Sequence, residues 1–213
     1  MSLRALIFDF DGVLVDTEPL HMRAWMDVLS PFRILFSKED YYARYIGLND
    51  RDFLAKIFGE KKKPFTSKSS ERLIHQKEGK TKESLSKNIP LMEGADDFLK
   101  KSALQYPLGL VTGALPNEVY FILDRLDWRK LFSVIITSGD IEKGKPDPEG
   151  FLKAFEQLRT LEDWTPPLEK SQCLIFEDSQ NGILAAKNAG IPYHRITSKS
   201  WTTASYLPNG GKI

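Results

Sequence analysis

The sequence predicts an α/β protein: a doubly wound parallel sheet, Rossmann-like in its core, with an all-helical domain inserted near its start. Three observations predict it. Four short apolar runs, Ala5-Leu6-Ile7-Phe8, Leu108-Gly109-Leu110-Val111, Val134-Ile135-Ile136 and Cys173-Leu174-Ile175-Phe176, each end abruptly in polar residues. Continuous apolar runs of this length fit strands buried on both faces of a parallel sheet. Helical patterns follow the runs, as crossover connections require. Between the first run and the second, residues of about 16 to 92 carry helical patterns only, far more chain than one crossover needs.

The elements follow in order. After the first run, Asp9-Phe10-Asp11-Gly12 makes a sharp turn at glycine. Thr17 is expected to cap a helix with Pro19 in its first turn, and Leu20, Ala24 and Val28 at helical spacing. Ser37 is expected to cap a second helix bearing Tyr41, Tyr42, Tyr45 and Ile46, broken by Gly47. A third begins near Asn49 and presents Phe53, Leu54, Ile57 and Phe58. A fourth, more polar, runs from about Ser69 to about Ser86. The core resumes with a helix near Ala95 to Ser102. Pro116 opens the helix after the Leu108 strand, Pro148 to Leu161 forms another, and Glu162 to Ser171 is a surface loop. Gln180 to Ala189 is a helix stopped by Gly190, and Tyr193 to Ile196 a last edge strand. The domain expectation is therefore an α/β core of residues 1–15 and 93–213 and a helical cap domain of 16–92, hinged at Val15-Asp16 and Met92-Glu93-Gly94.

Composition narrows the function. Thirty basic against 29 acidic residues give a net charge of +1, without the footprint of sequence-independent nucleic-acid binding. Any phosphate affinity must be local. No apolar stretch reaches the length of a membrane span, and no basic-then-apolar leader is read at the N-terminus. The single cysteine, Cys173, lies in an apolar run and is expected to be an inert core thiol in a reducing compartment, the cytoplasm. There is no histidine or cysteine cluster for zinc. A monomer or weak homodimer is expected.

In an open parallel sheet ligands bind beyond the carboxyl ends of the strands. There the four runs deliver Asp9 and Asp11, Thr112, Asp140 with Lys145 shortly after, and Glu177-Asp178. Clustered carboxylates repel unless a cation sits among them. Taken singly, each has a plainer reading. Asp9 and Asp11 read as turn caps, Thr112 as a strand-end hydroxyl, and Asp178 or Ser179 as a helix cap.

Taken as a set, Asp9-Phe10-Asp11-Gly12-Val13-Leu14, Val111-Thr112-Gly113, Gly144-Lys145-Pro146-Asp147-Pro148 and Phe176-Glu177-Asp178-Ser179 resemble the four motifs of the haloacid dehalogenase-like hydrolase superfamily. The inserted helical stretch resembles the cap of the subgroup with phosphoglycolate phosphatases and β-phosphoglucomutases. The resemblance implies a Mg2+-dependent phosphatase acting on a small phosphorylated metabolite through an aspartyl-phosphate. It implies Asp9 as nucleophile, Asp11 as general acid and then base, and Thr112 with the amides of Gly113 and Ala114 as phosphate binders. Lys145 would neutralise Asp9 and phosphate together. Asp9, Asp178, Glu177 and the backbone carbonyl of Asp11 would hold Mg2+. An acid at Asp11 argues against carbon–halogen cleavage.

His21 stands in an Asp-Thr-Glu-Pro-Leu-His context that the subgroup shares. Arg51 lies in Gly47-Leu48-Asn49-Asp50-Arg51, which resembles its substrate loop. Both are candidate substrate contacts, as is Lys77. The mutases' loop arginine has its nearest counterpart in Arg51, one position displaced, and Ala114-Leu115 replaces their polar residues. Both departures favour a monophosphate substrate. The alternatives are a β-phosphoglucomutase-like sugar phosphomutase and, further off, a receiver-type signalling module that phosphorylates an aspartate. The long helical insertion argues against the latter.

Overall fold

A computed structural model gives the fold and describes residues 2–46, 48–161, 164–197 and 201. Gly47, the start of the Glu162 loop and the tail beyond Thr197 apart from Trp201 lie outside the described residues. The chain divides into two compact units, Met1–Asp16 with Pro90–Ile213, and Thr17–Ile89.

The first unit is a five-stranded sheet of β1 (Ala5–Phe8), β2 (Leu108–Val111), β3 (Val134–Ile136), β4 (Cys173–Glu177) and β5 (Tyr193–Arg195), in the order β3-β2-β1-β4-β5. Every pairing is parallel; Phe8 stands level with Leu110 on one side and Phe176 on the other. The three inner strands β2, β1 and β4 are buried throughout and the edge strand β3 nearly so, whereas β5 at the other edge is partly exposed.

Alternation along each strand divides the core between two faces. Ala5 and Ile7 pack with Phe151, Ala154, Phe155 and Leu158 of α7 (Glu149–Thr160) and Ala185, Ala186 and Ala189 of α8 (Gln180–Ala189). On the other side Phe8 stacks on Phe176 at 5.0 Å and meets Phe98 of α5 (Ala95–Ala103) edge-on. Between β2 and β3 runs α6 (Pro116–Arg125), with the proline in its first turn. Ser179 caps α8 by accepting from the Gly182 N–H, and Gly190 closes that helix at φ 68°.

The second unit holds α1 (Glu18–Leu29), α2 (Lys38–Arg44), α3 (Asp50–Glu60) and α4 (Ser67–Lys87). Trp25, Tyr41, Tyr45, Phe53, Phe58 and Leu73 belong to one aromatic-rich core. Ser37 and Asp40 form a capping box on α2, and Asn49 caps α3 through the Asp52 N–H. Three local expectations need correcting. Thr17 precedes α1 but its φ and ψ are helical, and its hydroxyl makes no cap bond. α2 stops at Arg44, with Tyr45 and Ile46 beyond it, and the fourth helix starts two residues early because Thr66, with Ser69, supplies the cap.

The two passages between the units lie side by side within the first. Asp16 N–H donates to the Pro90 carbonyl at 2.8 Å and Met92 N–H to the Leu14 carbonyl at 3.0 Å, with Val15 bridged to Leu91.

Candidate active site

The site is built where β1, β2 and β4 end. Asp9 follows β1 directly, and its N–H donates to the Phe176 carbonyl at 2.9 Å, extending the ladder by one residue. This places its side chain beside Glu177, the last residue of β4. Lys145 arrives from the loop after β3. Its Nζ donates to Asp9 Oδ1 at 2.5 Å, to Glu177 Oε2 at 2.6 Å and to the Val111 carbonyl, at the end of β2, at 3.4 Å. An ammonium has three donors, and these three acceptors come from three adjacent strands.

Glu177 is fully buried, and its other oxygen accepts from both the N–H and the hydroxyl of Ser179 at 3.0 and 2.7 Å. Carboxylate oxygens of Asp9, Glu177 and Asp178 all lie within 4.8 Å of one another. Three acidic groups thus face one ammonium, so the cluster carries excess negative charge when ionised. Burial pushes the Asp9 carboxyl well up from its usual range, the Glu177 charge adds to this, and Lys145 opposes it. Burial, with Glu177, pushes Asp178 up to about 6. Burial would lower Lys145, but the facing carboxylates outweigh it and hold the ammonium above its ordinary pKa.

This donor set fits a hard divalent cation. It is all oxygen, it is over-negative, and Asp9 and Asp178 stand on adjacent strand ends. Glu177 is spoken for on both oxygens by Lys145 and Ser179, so it braces the set as much as it completes it. The Asp11 carboxylate is outside the cluster, although its charge is felt at both Asp9 and Asp178. It sits on the turn held by Phe10, whose carbonyl accepts from Leu14 N–H at 2.8 Å.

Thr112 is buried, and its hydroxyl accepts from the Ala114 N–H at 3.0 Å. That local turn ties together two groups expected to reach for phosphate. Thr112, Gly113, Lys145 and Asp147 line one cavity of about 20 Å3, roughly the room of one water. His21 is carried by α1 and Arg51, exposed, by α3, both in the helical unit. Lys77 in that unit is paired with Asp50 at 3.1 Å.

Sequence reasoning missed three features. The Val111 carbonyl has no side chain to announce it. Gly182 sits where a Cβ would come within 2.0 Å of the Glu177 carboxyl carbon, so only glycine leaves room. Its one signal was a glycine in the first turn of a helix, where it has no conformational reason to be. Trp201 stands outside all four motifs, and nothing in its local sequence marks its bond to the Val13 carbonyl.

Residues 6–196 match the model of the haloacid dehalogenase-like hydrolases. The chain belongs to that family. A phosphorylated carbohydrates phosphatase of Thermotoga maritima is 31% identical over 189 residues, covering 89% of this chain and 82% of the relative. A β-phosphoglucomutase of Bacillus subtilis is also 31% identical, over 196 residues and 89% and 81% of the two chains. The structure of a haloacid dehalogenase hydrolase of family IA from Entamoeba histolytica shares the fold at a TM-score of 0.76 and 24% identity, over 94% of this chain and 86% of that one. As a member of this family the chain is an enzyme, and its acidic cluster stands at the carboxyl edge of a parallel sheet.

Proposed function

We propose that this hydrolase is a Mg2+-dependent phosphatase of small phosphorylated metabolites, sugar phosphates foremost, working through an aspartyl-phosphate. The observation that carries the reading is Lys145 clamped between Asp9 and Glu177 with Asp178 beside them. The phosphatase of Thermotoga maritima, which acts on phosphorylated carbohydrates by its name, supports the substrate class.

Asp9 attacks phosphorus, forming an Oδ–P bond as the bond to the leaving oxygen breaks. Asp11 gives that oxygen a proton, then takes one from the water that cleaves the aspartyl-phosphate and returns Asp9. Lys145 offsets the repulsion between the Asp9 carboxylate and the phosphate dianion, and Thr112 and the Gly113 amide bind phosphate oxygens. Asp9 and Asp178, with Glu177 and the Asp11 carbonyl, would hold Mg2+, which neutralises the phosphate charge. The helical unit is a cap, and His21 and Arg51 are its substrate contacts.

The described helices include none long and apolar enough to cross a membrane. With Cys173 buried and unpaired, the compartment proposed is the cytoplasm. The Bacillus subtilis relative keeps a sugar phosphomutase as the second reading. Against it stand Ala114 and Leu115 after Thr112, and the displacement of the loop arginine by one position to Arg51. A screen of phosphorylated metabolites with Mg2+ tests the proposal. Release of inorganic phosphate supports it, whereas conversion of β-glucose 1-phosphate to glucose 6-phosphate without phosphate release, given a bisphosphate activator, selects the mutase.

A further inference from the structure

Trp201 lies far along the chain from every group named above as reacting, yet it touches the turn that carries one of them. Its indole Nε1–H donates to the Val13 carbonyl at 2.7 Å, and its backbone N–H to the Glu93 carbonyl at 2.6 Å. The ring is buried, stacked on Phe98 at 4.2 Å and set edge-on to Phe176 at 5.1 Å. Val13 belongs to the Asp11 turn, in which Gly12 N–H donates to the Val15 carbonyl at 2.7 Å. Glu93 belongs to the returning passage, where Met92 N–H holds the Leu14 carbonyl. One residue therefore ties both passages to the aromatic layer beneath β1 and β4.

We propose that Trp201 is a positioning residue for the general acid, fixing the Asp11 turn through the Val13 carbonyl. The inference rests on Asp11 being that acid. Val13, Leu14 and Val15 are fully buried, so the backbone polar groups of the turn need protein partners. Without the indole N–H the Val13 carbonyl is left unsatisfied in a dry place, and the turn shifts to find a donor. A proton donor displaced by a fraction of an ångström loses much of its effect, while the Asp9–Lys145 pair, held by the Phe176 carbonyl and by Glu177, stays put.

The test is Trp201→Phe, which keeps an aromatic ring against Phe98 and removes only the N–H. The reading is kcat/KM, which reports phosphoryl transfer to Asp9, for two leaving groups: a sugar phosphate, whose alkoxide needs a proton, and p-nitrophenyl phosphate, whose phenolate does not. The expected result is a loss of about 10-fold on the sugar phosphate and less than about 2-fold on p-nitrophenyl phosphate. Asp11→Asn, run beside it, shows the same leaving-group dependence with a larger loss. If Asp11→Asn shows no such dependence, the acid assignment fails. If Asp11→Asn shows it and Trp201→Phe lowers both substrates alike, or neither, the positioning role is overturned. Should Trp201→Phe not fold, benzothienylalanine placed at 201 alone, a ring of the same shape without the N–H, decides the matter by the same two outcomes.

Discussion

Gly12 lies directly against Asp178: a Cβ at Gly12 would stand 2.3 Å from Asp178 Oδ2. The same glycine has φ +79°, a conformation that costs an L-residue about 1 kcal/mol. Gly12→Ala therefore strains the turn and pushes Asp178 off its place. The expected outcome is a folded protein whose Mg2+ affinity falls by about 10–100-fold, the usual effect of disturbing a ligand's support. Titration of activity against Mg2+ checks this.

Lys145 is the only ammonium bonded to the acidic cluster among the described residues, with 17% of its side chain exposed. Lys145→Met leaves Asp9 and Glu177 buried side by side without a counter-charge. Breaking such a buried pair from one side costs about 3–5 kcal/mol. Asp9, already pushed up by burial, then loses the one charge that opposes that rise and favours its protonated form, so the loss is greatest at neutral pH and shrinks on acidification. Urea unfolding at two pH values, with Mg2+ absent, measures it. Activity is abolished at either pH, because nothing then offsets the repulsion between Asp9 and substrate.

The raised pKa of Asp178, about 6, carries its own pH dependence. A carboxyl whose folded pKa lies above its unfolded value binds its proton more tightly when folded. Its contribution to stability is complete below the unfolded pKa and is lost as pH rises through about 6. Asp9 is shifted in the same direction. A divalent cation takes the proton's place only on the ionised cluster. The rise in Tm on adding Mg2+ is therefore small near pH 5 and grows through pH 6 to 7. A Mg2+ shift independent of pH over that range would contradict the placement of the cation at Asp9 and Asp178.

In the helical unit, Lys77 pairs with Asp50 at 3.1 Å, its side chain 9% exposed beside the Trp25 ring. Asp50→Asn strands that charge in the interior of α1, α3 and α4. A stability loss of about 1–3 kcal/mol is expected, read from thermal or urea unfolding, since the buried ammonium loses its counter-charge and keeps only a neutral acceptor.

Much of this was legible in the sequence, and for physical reasons. Strands buried on both faces leave unbroken apolar runs, so β1 to β4 announced themselves, and a parallel sheet gathers their polar ends at one edge. That topology is why Asp9, Lys145, Glu177 and Asp178, up to 169 positions apart, come together. Caps were legible at Ser37 and Ser179, whose hydroxyls bond their own helices, whereas Thr66 does the same and was missed. Thr17 misled because a hydroxyl in the right position need not find the backbone it would cap. What left no local trace was set by distant contacts: the Val111 carbonyl under Lys145, the room that Gly182 leaves Glu177, and the grip of Trp201 on Val13.

The central claim is that Asp9 accepts the phosphoryl group. Enzyme mixed with a turned-over sugar phosphate and Mg2+, quenched in acid within the first turnover and digested, gives the peptide that holds Asp9. The account predicts that this peptide carries one phosphoryl group, lost on treatment with hydroxylamine as an acyl phosphate is, and that Asp9→Asn protein folds, shows no label and does not turn over. An unlabelled Asp9 peptide during active turnover, or undiminished phosphate release by Asp9→Asn, would contradict it.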